Sequence, residues 1–271
     1  PTSGLKVRFP AGNHTNMRQS WSEKLKQSIR PSFYAFFARN KERFKCPICG
    51  YQGAFKDKRV STNPNIIRKS SKCLGCGSTE RHRMIHLVLK DVFDQWNPSK
   101  KSILHIAPEE CLKIELLSKF ETYHTADLER EDVDFKEDLQ KLSFPESSYD
   151  AIMVSRVLTI PPDLKSCLLE IHRVLKKGGI AVIAETYIHE KTLTFEGMRQ
   201  GRSREIGADF MHQMKSTFDQ VDFYKSERYD KAYQLINCMM LDHQPQDAYP
   251  NEVRMPGVGF KEVVAICHKH S

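Results

Sequence analysis

The stretch DLKSCLLEIHRVLKKGGIAVIAETY, residues 163–187, changes its hydrophobic period halfway. Its first half spaces apolar residues three and four apart, and from Ile180 they run on without a break. The first half reads as an amphipathic helix over 163–179, with basic residues in the last turn and a Gly C-cap. The second half, 180–187, reads as a buried strand. A helix feeding a wholly apolar strand points to a mainly parallel sheet covered on both faces.

The alternation continues in both directions. SILHIA (102–107) and TYHTADL (122–128) read as strands flanking the helix ECLKIELLSKF (110–120). DAIMVS (150–155) is another apolar run. REIGADFMHQMKSTF (204–218) has helical spacing, QVDFY (220–224) reads as a strand, and EVVAICH (262–268) as the last one. The expected fold is therefore α/β and Rossmann-like. In such sheets ligands bind at the carboxyl ends of the strands.

Upstream, Met84, Ile85, Val88, Leu89, Val92 and Phe93 form one stripe of a helix running from Thr79 to Trp96, stopped by Asn97-Pro98. Residues 46–80 are short, turn-rich and bounded by cysteines. Trp21, Leu25 and Ile29 suggest a short amphipathic helix over 20–30, and PSFYAFFARNKERF (31–44) a basic aromatic one. That segment packs on the main domain or lies on a partner or a membrane surface. Three parts result: a basic extension, 1–45; a cysteine-bounded module with its linking helix, 46–97; and the α/β domain, 98–271.

Hydrophobic residues make up 39% of the 271 and charged residues 28%, which supports a folded core and excludes wholesale disorder. No apolar run nears the roughly 20 residues of a membrane span. No secretory h-region is visible, so the cytoplasm is the expected location, with the inner membrane surface as a candidate contact. The first residue is Pro1, so the start reads as trimmed. Residues 1–100 hold 20 Lys and Arg against 6 Asp and Glu, and the remainder 22 against 28. A basic N-terminal third favours an anionic partner, either nucleic acid, an acidic or phosphorylated glycan, or a membrane surface; a solvated face is the other reading.

CPICG (46–50) and CLGCG (73–77) are two CxxCG knuckles with 23 residues between the inner cysteines. Cys46, Cys49, Cys73 and Cys76 can complete a closed tetrahedral shell around a structural Zn²⁺, leaving no open position for catalysis. A disulfide pair and an iron–sulfur cluster are the alternatives. Cys111, Cys167, Cys238 and Cys267 sit singly in apolar surroundings and read as reduced core residues.

Five segments together carry a resemblance: CLGCGSTERHR (73–83), ILHIAPE (103–109), ADL (126–128), SYDAIMVSRVL (148–158) and EIHRVLKKGGIAVI (170–183). They resemble bacterial class I methyltransferases dependent on S-adenosylmethionine (SAM) that carry an N-terminal zinc ribbon. The resemblance spans about 46–183. It implies SAM as cofactor and, from the company such proteins keep, a role in polysaccharide biosynthesis.

The residues fit that reading. The turn His105-Ile106-Ala107-Pro108-Glu109 would meet the methionine part of SAM, although it lacks the usual glycines, which permit close backbone approach. Asp127, with Leu128, ends the second strand about 20 residues on, where a carboxylate grips ribose hydroxyls. Asp138 and Leu139 lie where the family places its adenine contacts. SRVLTIPPD (155–163) aligns with a segment often reading HVLEHIPD in relatives, and Arg156 stands for its first His. Arg156 is read as a clamp for the SAM carboxylate or an anionic acceptor, or as a salt bridge at the sheet edge. Glu185 and His189 are candidate bases and Tyr187 a substrate contact, since a protonated alcohol is a poor nucleophile. Arg81, His82 and Arg83 are candidate acceptor contacts or a structural tie. The favoured function is O-methylation of an anionic small molecule or glycan. The alternative is a nucleic-acid-binding or interaction protein on a degenerate methyltransferase fold.

Overall fold

The computed structural model describes residues 40–60, 63–240, 250–255 and 259–270. The helices expected over 20–30 and most of 31–44 lie outside them.

The chain opens on two antiparallel pairs. β1 (Phe44–Lys45) and β2 (Gln52–Gly53) frame the first knuckle, and β3 (Lys56–Val60) and β4 (Asn63–Lys72) form a hairpin leading to the second. Helix α1 (Glu80–Trp96) follows, then β5 (Ser102–Ile106), α2 (Glu110–Lys119), β6 (Thr122–Asp127), β7 (Phe135–Lys136) and β8 (Tyr149–Ser155). After these come α3 (Leu164–Val174), β9 (Leu175–Glu185), the hairpin β10 (Leu193–Arg199) and β11 (Arg202–Glu205), and α4 (Asp209–Thr217). The chain closes with β12 (Gln220–Lys225), β13 (Ile236–Met240), β14 (Gly259–Lys261) and β15 (Val263–Lys269).

Seven strands form the main sheet in the order β12-β15-β9-β8-β5-β6-β7. The five from β7 to β9 run parallel, and β15 is antiparallel to both its neighbours. Counting only these strands along the chain, the order is 3-2-1-4-5-7-6, and the sequence reverses direction at β5, between β6 and β8. That switch point is where a ligand crevice forms.

The alternation of the strands sorts their side chains to two cores. Ala181 and Ile183 of β9, with Ile152 and Val154 of β8, pack under α3 and α4. Ile180, Val182 and Ala184, with Ala151 and Met153, pack under α1 and α2. Burial of both faces explains the unbroken apolar runs.

Two expectations are corrected here. Helix α3 stops at Val174, and Gly178 is no helix cap. Leu175 turns to extended backbone (ψ 137°) and pairs with Tyr149, so LKKGG already belongs to β9. Gly178 supplies the left-handed residue (φ 74°) of a register shift between Tyr149 and Ala151. The helix expected from Arg204 begins at Asp209, because Arg202–Glu205 pairs with β10.

A second sheet, β14-β13-β4-β3, was not foreseen. Its inner partner for β4 is β13, drawn from the segment between β12 and β15. The cysteine module and the α/β domain therefore share a sheet.

Candidate active site and cysteine centre

The two knuckles are built alike. Cys46 and Cys73 each accept, through the carbonyl, the N–H of the glycine four residues on, at 2.9 and 3.0 Å. Gly50 (φ 74°) and Gly77 (φ 75°) take the left-handed turn that this closure requires. The four sulfurs lie within 4.8 Å of one another, with Cys46–Cys76 and Cys49–Cys73 both at 3.6 Å. Four thiolates about 2.3 Å from one tetrahedral ion stand about 3.8 Å apart. The donor set therefore fits a single metal ion. Ser78 Oγ lies 3.1 Å from Cys76 Sγ and 3.4 Å from Cys46 Sγ, well placed to orient the sulfurs.

At the carboxyl end of β5, Ala107 adopts a left-handed conformation, φ 50°, and its N–H donates to Ala126 O of the next strand at 2.8 Å. The turn thus keeps the backbone shape that glycine usually supplies. Pro108 follows, and its carbonyl accepts from Arg130 Nη1 at 2.7 Å. His105 is fully buried, with Nδ1 3.0 Å from Tyr123 Oη and Nε2 3.0 Å from Glu109 Oε2. Burial alone would raise the Glu109 pKa. The hydrogen bond and field of His105, and the Arg81 charge, outweigh it and hold the carboxyl down to about 2.

Asp127 ends β6 in an Asx turn, its Oδ1 accepting from the N–H groups of Glu129 and Arg130 at 2.8 and 3.0 Å. Its second oxygen is not used there. Leu128 beside it is 62% exposed, an apolar face at the switch point. Asp138 turns onto its own loop, accepting from Gln140 N at 2.9 Å, and Leu139 is buried in the core under α3.

After β8, Arg156 is left-handed as well (φ 60°). Its Nη2 grips Glu262 at 2.7 and 2.9 Å, the sheet-edge salt bridge among its two readings. Glu262 is a hub: Asn237 Nδ2 donates to it, and Arg68 Nη2 is 3.7 Å away while bonding Glu80 at 2.8 Å. Around that hub Arg156 Nη1, Arg68 Nε and Asn237 Oδ1 are buried without hydrogen-bond partners, as is Ser155 Oγ next to Arg156.

After β9 the strand does not persist as expected. It ends at Glu185, which is wholly buried and accepts Leu158 N–H at 2.9 Å. Burial pushes its pKa up, with the nearby Arg156 only partly opposing. Tyr187 is 1% exposed, and neither its hydroxyl nor Glu185 Oε2 has a hydrogen-bond partner. His189 is half-buried with Nε2 2.7 Å from Glu205 Oε2 of β11.

The three residues of the ERHR segment diverge. Arg83 is fully buried and gives four donors to the carbonyls of Ser71, Ser78, Tyr233 and Gln234. It holds the second sheet to α1. His82 Nδ1 accepts the Thr79 N–H at 3.1 Å and closes the first turn of the helix. Burial, then the Arg81 charge, lowers its pKa to about 3, so the ring is neutral. Arg81 Nη2 faces Glu109 Oε1 at 3.6 Å. Arg68, Asn237, Glu205 and Glu262 escaped the sequence reading. Each acts through a strand pairing or hairpin that no local pattern announced.

Residues 101–183 match a family model described as a methyltransferase domain. No curated protein matches the chain. Among solved structures, the [4+2]-cyclase SpnF is 12% identical, with 90% of this chain and 97% of that one covered at a TM-score of 0.50. A Burkholderia thailandensis 1,6-didemethyltoxoflavin-N1-methyltransferase is 10% identical over 94% and 93%, with a TM-score of 0.45. YcgJ from Bacillus subtilis is 13% identical over 70% and 100%, also at 0.45. At such identities the likeness is one of fold. Strand order and domain match together define the class. The chain carries a methyltransferase domain on a class I sheet, the architecture of SAM-dependent methyltransferases. No helix among the described residues is long and apolar enough to cross a membrane.

Proposed function

We propose that the chain transfers a methyl group from SAM to an oxygen of a small molecule or glycan bearing an acidic group, and that Cys46, Cys49, Cys73 and Cys76 hold a structural zinc ion. SAM, when bound, supplies a methyl group on a sulfonium, ready for in-line displacement. Catalysis of such a step is mostly positioning. Asp127 holds ribose hydroxyls, Leu128 offers the apolar face for adenine, Asp138 meets its amine, and the Ala107-Pro108 turn admits the methionine part.

The observation that carries this reading is the set of buried polar atoms without partners at consecutive strand ends: Ser155 Oγ and Arg156 Nη1 after β8, Glu185 Oε2 and Tyr187 Oη after β9. Native interiors leave few such groups unless a ligand or water meets them. Arg68 Nε and Arg156 Nη1, spare donors of two guanidinium groups, suit an acidic group on the acceptor. Of the two candidate bases, His189 fits better. It is reachable and its ring is oriented by Glu205, whereas burial keeps Glu185 protonated. The left-handed Ala107 weighs against a degenerate fold, since the turn keeps its shape without glycine. We place the protein in the cytoplasm, in keeping with its singly buried cysteines.

Calorimetry with S-adenosylhomocysteine, followed by transfer from tritiated SAM to panels of neutral, carboxylated and phosphorylated sugars, tests the reading. Micromolar binding and label in the acidic panels are expected. Failure to bind would return weight to an interaction protein.

A further inference from the structure

Glu109 is held by one oxygen only. Oε2 accepts from His105 Nε2, while Oε1 is buried on a side chain 10% exposed and has no hydrogen-bond partner. Two cationic or donor groups face that oxygen without reaching it: Arg81 Nη2 at 3.6 Å and His82 Nε2 at 3.8 Å. A buried carboxylate oxygen left short of partners is costly. Arg81 itself stands off by most of an ångström from a direct bond. A pair built only to tie α1 to the main sheet would close that gap, as Arg156 and Glu262 do at 2.7 Å.

Glu109 follows directly on the β5 turn at the switch point, where an α/β sheet takes its ligand. The pair offers an acceptor beside a planar, bidentate donor. The complement is a molecule carrying an ammonium and a carboxylate on adjacent atoms. We infer that Arg81 and Glu109 together form a receptor for the α-amino-acid end of the cofactor, Glu109 Oε1 accepting from the ammonium and Arg81 binding the carboxylate. The inference rests on the reading of the chain as SAM-binding. It moves Arg81 from the acceptor's side of the site to the cofactor's. It also makes the helix that leaves the second cysteine knuckle part of the cofactor site.

The test compares two nucleosides by calorimetry on the full chain. S-Adenosylhomocysteine carries the amino acid, and 5′-methylthioadenosine has the same adenosine and sulfur without it. Arg81→Ala and Glu109→Gln should each weaken the homocysteine compound tenfold or more and leave methylthioadenosine within twofold, which also reports an intact fold. Arg81→Lys should fall between, since lysine offers a point charge. Equal losses for both nucleosides, or none for either, would overturn the inference while leaving cofactor binding standing. Failure of the unsubstituted protein to bind the homocysteine compound would sink the methyltransferase reading, and this assignment with it.

Discussion

Arg83 Nη2 donates to the main-chain carbonyl of Gln234 at 2.6 Å, and Gln234 Nε2 in turn donates to the carbonyls of Lys69 and Ser70 at 3.2 and 3.0 Å. The two residues are 151 positions apart and lock α1, β4 and the lead into β13 together. Gln234 takes a left-handed conformation, φ 50°, to do so. Arg83→Ala would leave four carbonyls short of a buried charged donor. Unfolding by denaturant should show a loss of about 3 kcal/mol or more, with Arg83→Lys recovering little of it. A loss under about 0.5 kcal/mol, typical of surface changes, would deny Arg83 this role.

One zinc ion per chain is expected in metal-purified protein, measured by elemental analysis. Cys73→Ser should lose most of it and lower the melting temperature, because metal binding and folding of such modules are coupled. Protein lacking near-stoichiometric zinc or iron would refute the assignment of the four cysteines.

Asp127→Ala should weaken S-adenosylhomocysteine tenfold or more, since charge-assisted bonds contribute roughly 1.5–3 kcal/mol each. Because Oδ1 also holds the turn through Glu129 and Arg130, Asp127→Asn is the informative companion. It keeps the turn's acceptor and removes the charge, so its loss should be the smaller. Unchanged affinity in both variants would remove Asp127 from the site.

Glu185 gives a pH test. Burial raises its folded pKa above the unfolded value of about 4.3. The folded state then binds more protons, so the stability this group contributes is whole below the unfolded value and is lost as pH rises through the folded one. Glu185→Gln does not titrate. Its stability should gain on that of the unsubstituted protein as pH goes from 4 to 8, by up to about 1.4 kcal/mol per pH unit. Parallel melting curves across that range would mean that Glu185 ionises normally.

The main sheet was legible because strands buried on both faces must be apolar throughout, as SILHI and IAVIAE are. The knuckles were legible because cysteine spacing and following glycines are local. β4 was not. NPNIIRKSSK carries Pro64 and mixed polar residues, and its pairing partner lies far along the chain. The hairpin at 193–205 was hidden for a related reason. LTFEGMR is mostly exposed, so no face of it had to be apolar. Arg156 could be placed on a strand end, but its choice of Glu262 follows from β15 running beside β9, which spacing alone does not tell.

The shared second sheet also constrains how the molecule can be made. Ile67 of β4 pairs with Met240 of β13, 173 residues later. At roughly 5–20 residues per second of synthesis, β4 waits roughly 9–35 s for its inner neighbour to emerge from the ribosome. The knuckles can close on their metal early, yet the hairpin they anchor keeps an open edge through most of translation, which invites pairing with other nascent chains. Cells short of zinc, or chains truncated before residue 236, should therefore yield aggregates seeded from the beginning of the protein, although the missing strands lie near its end.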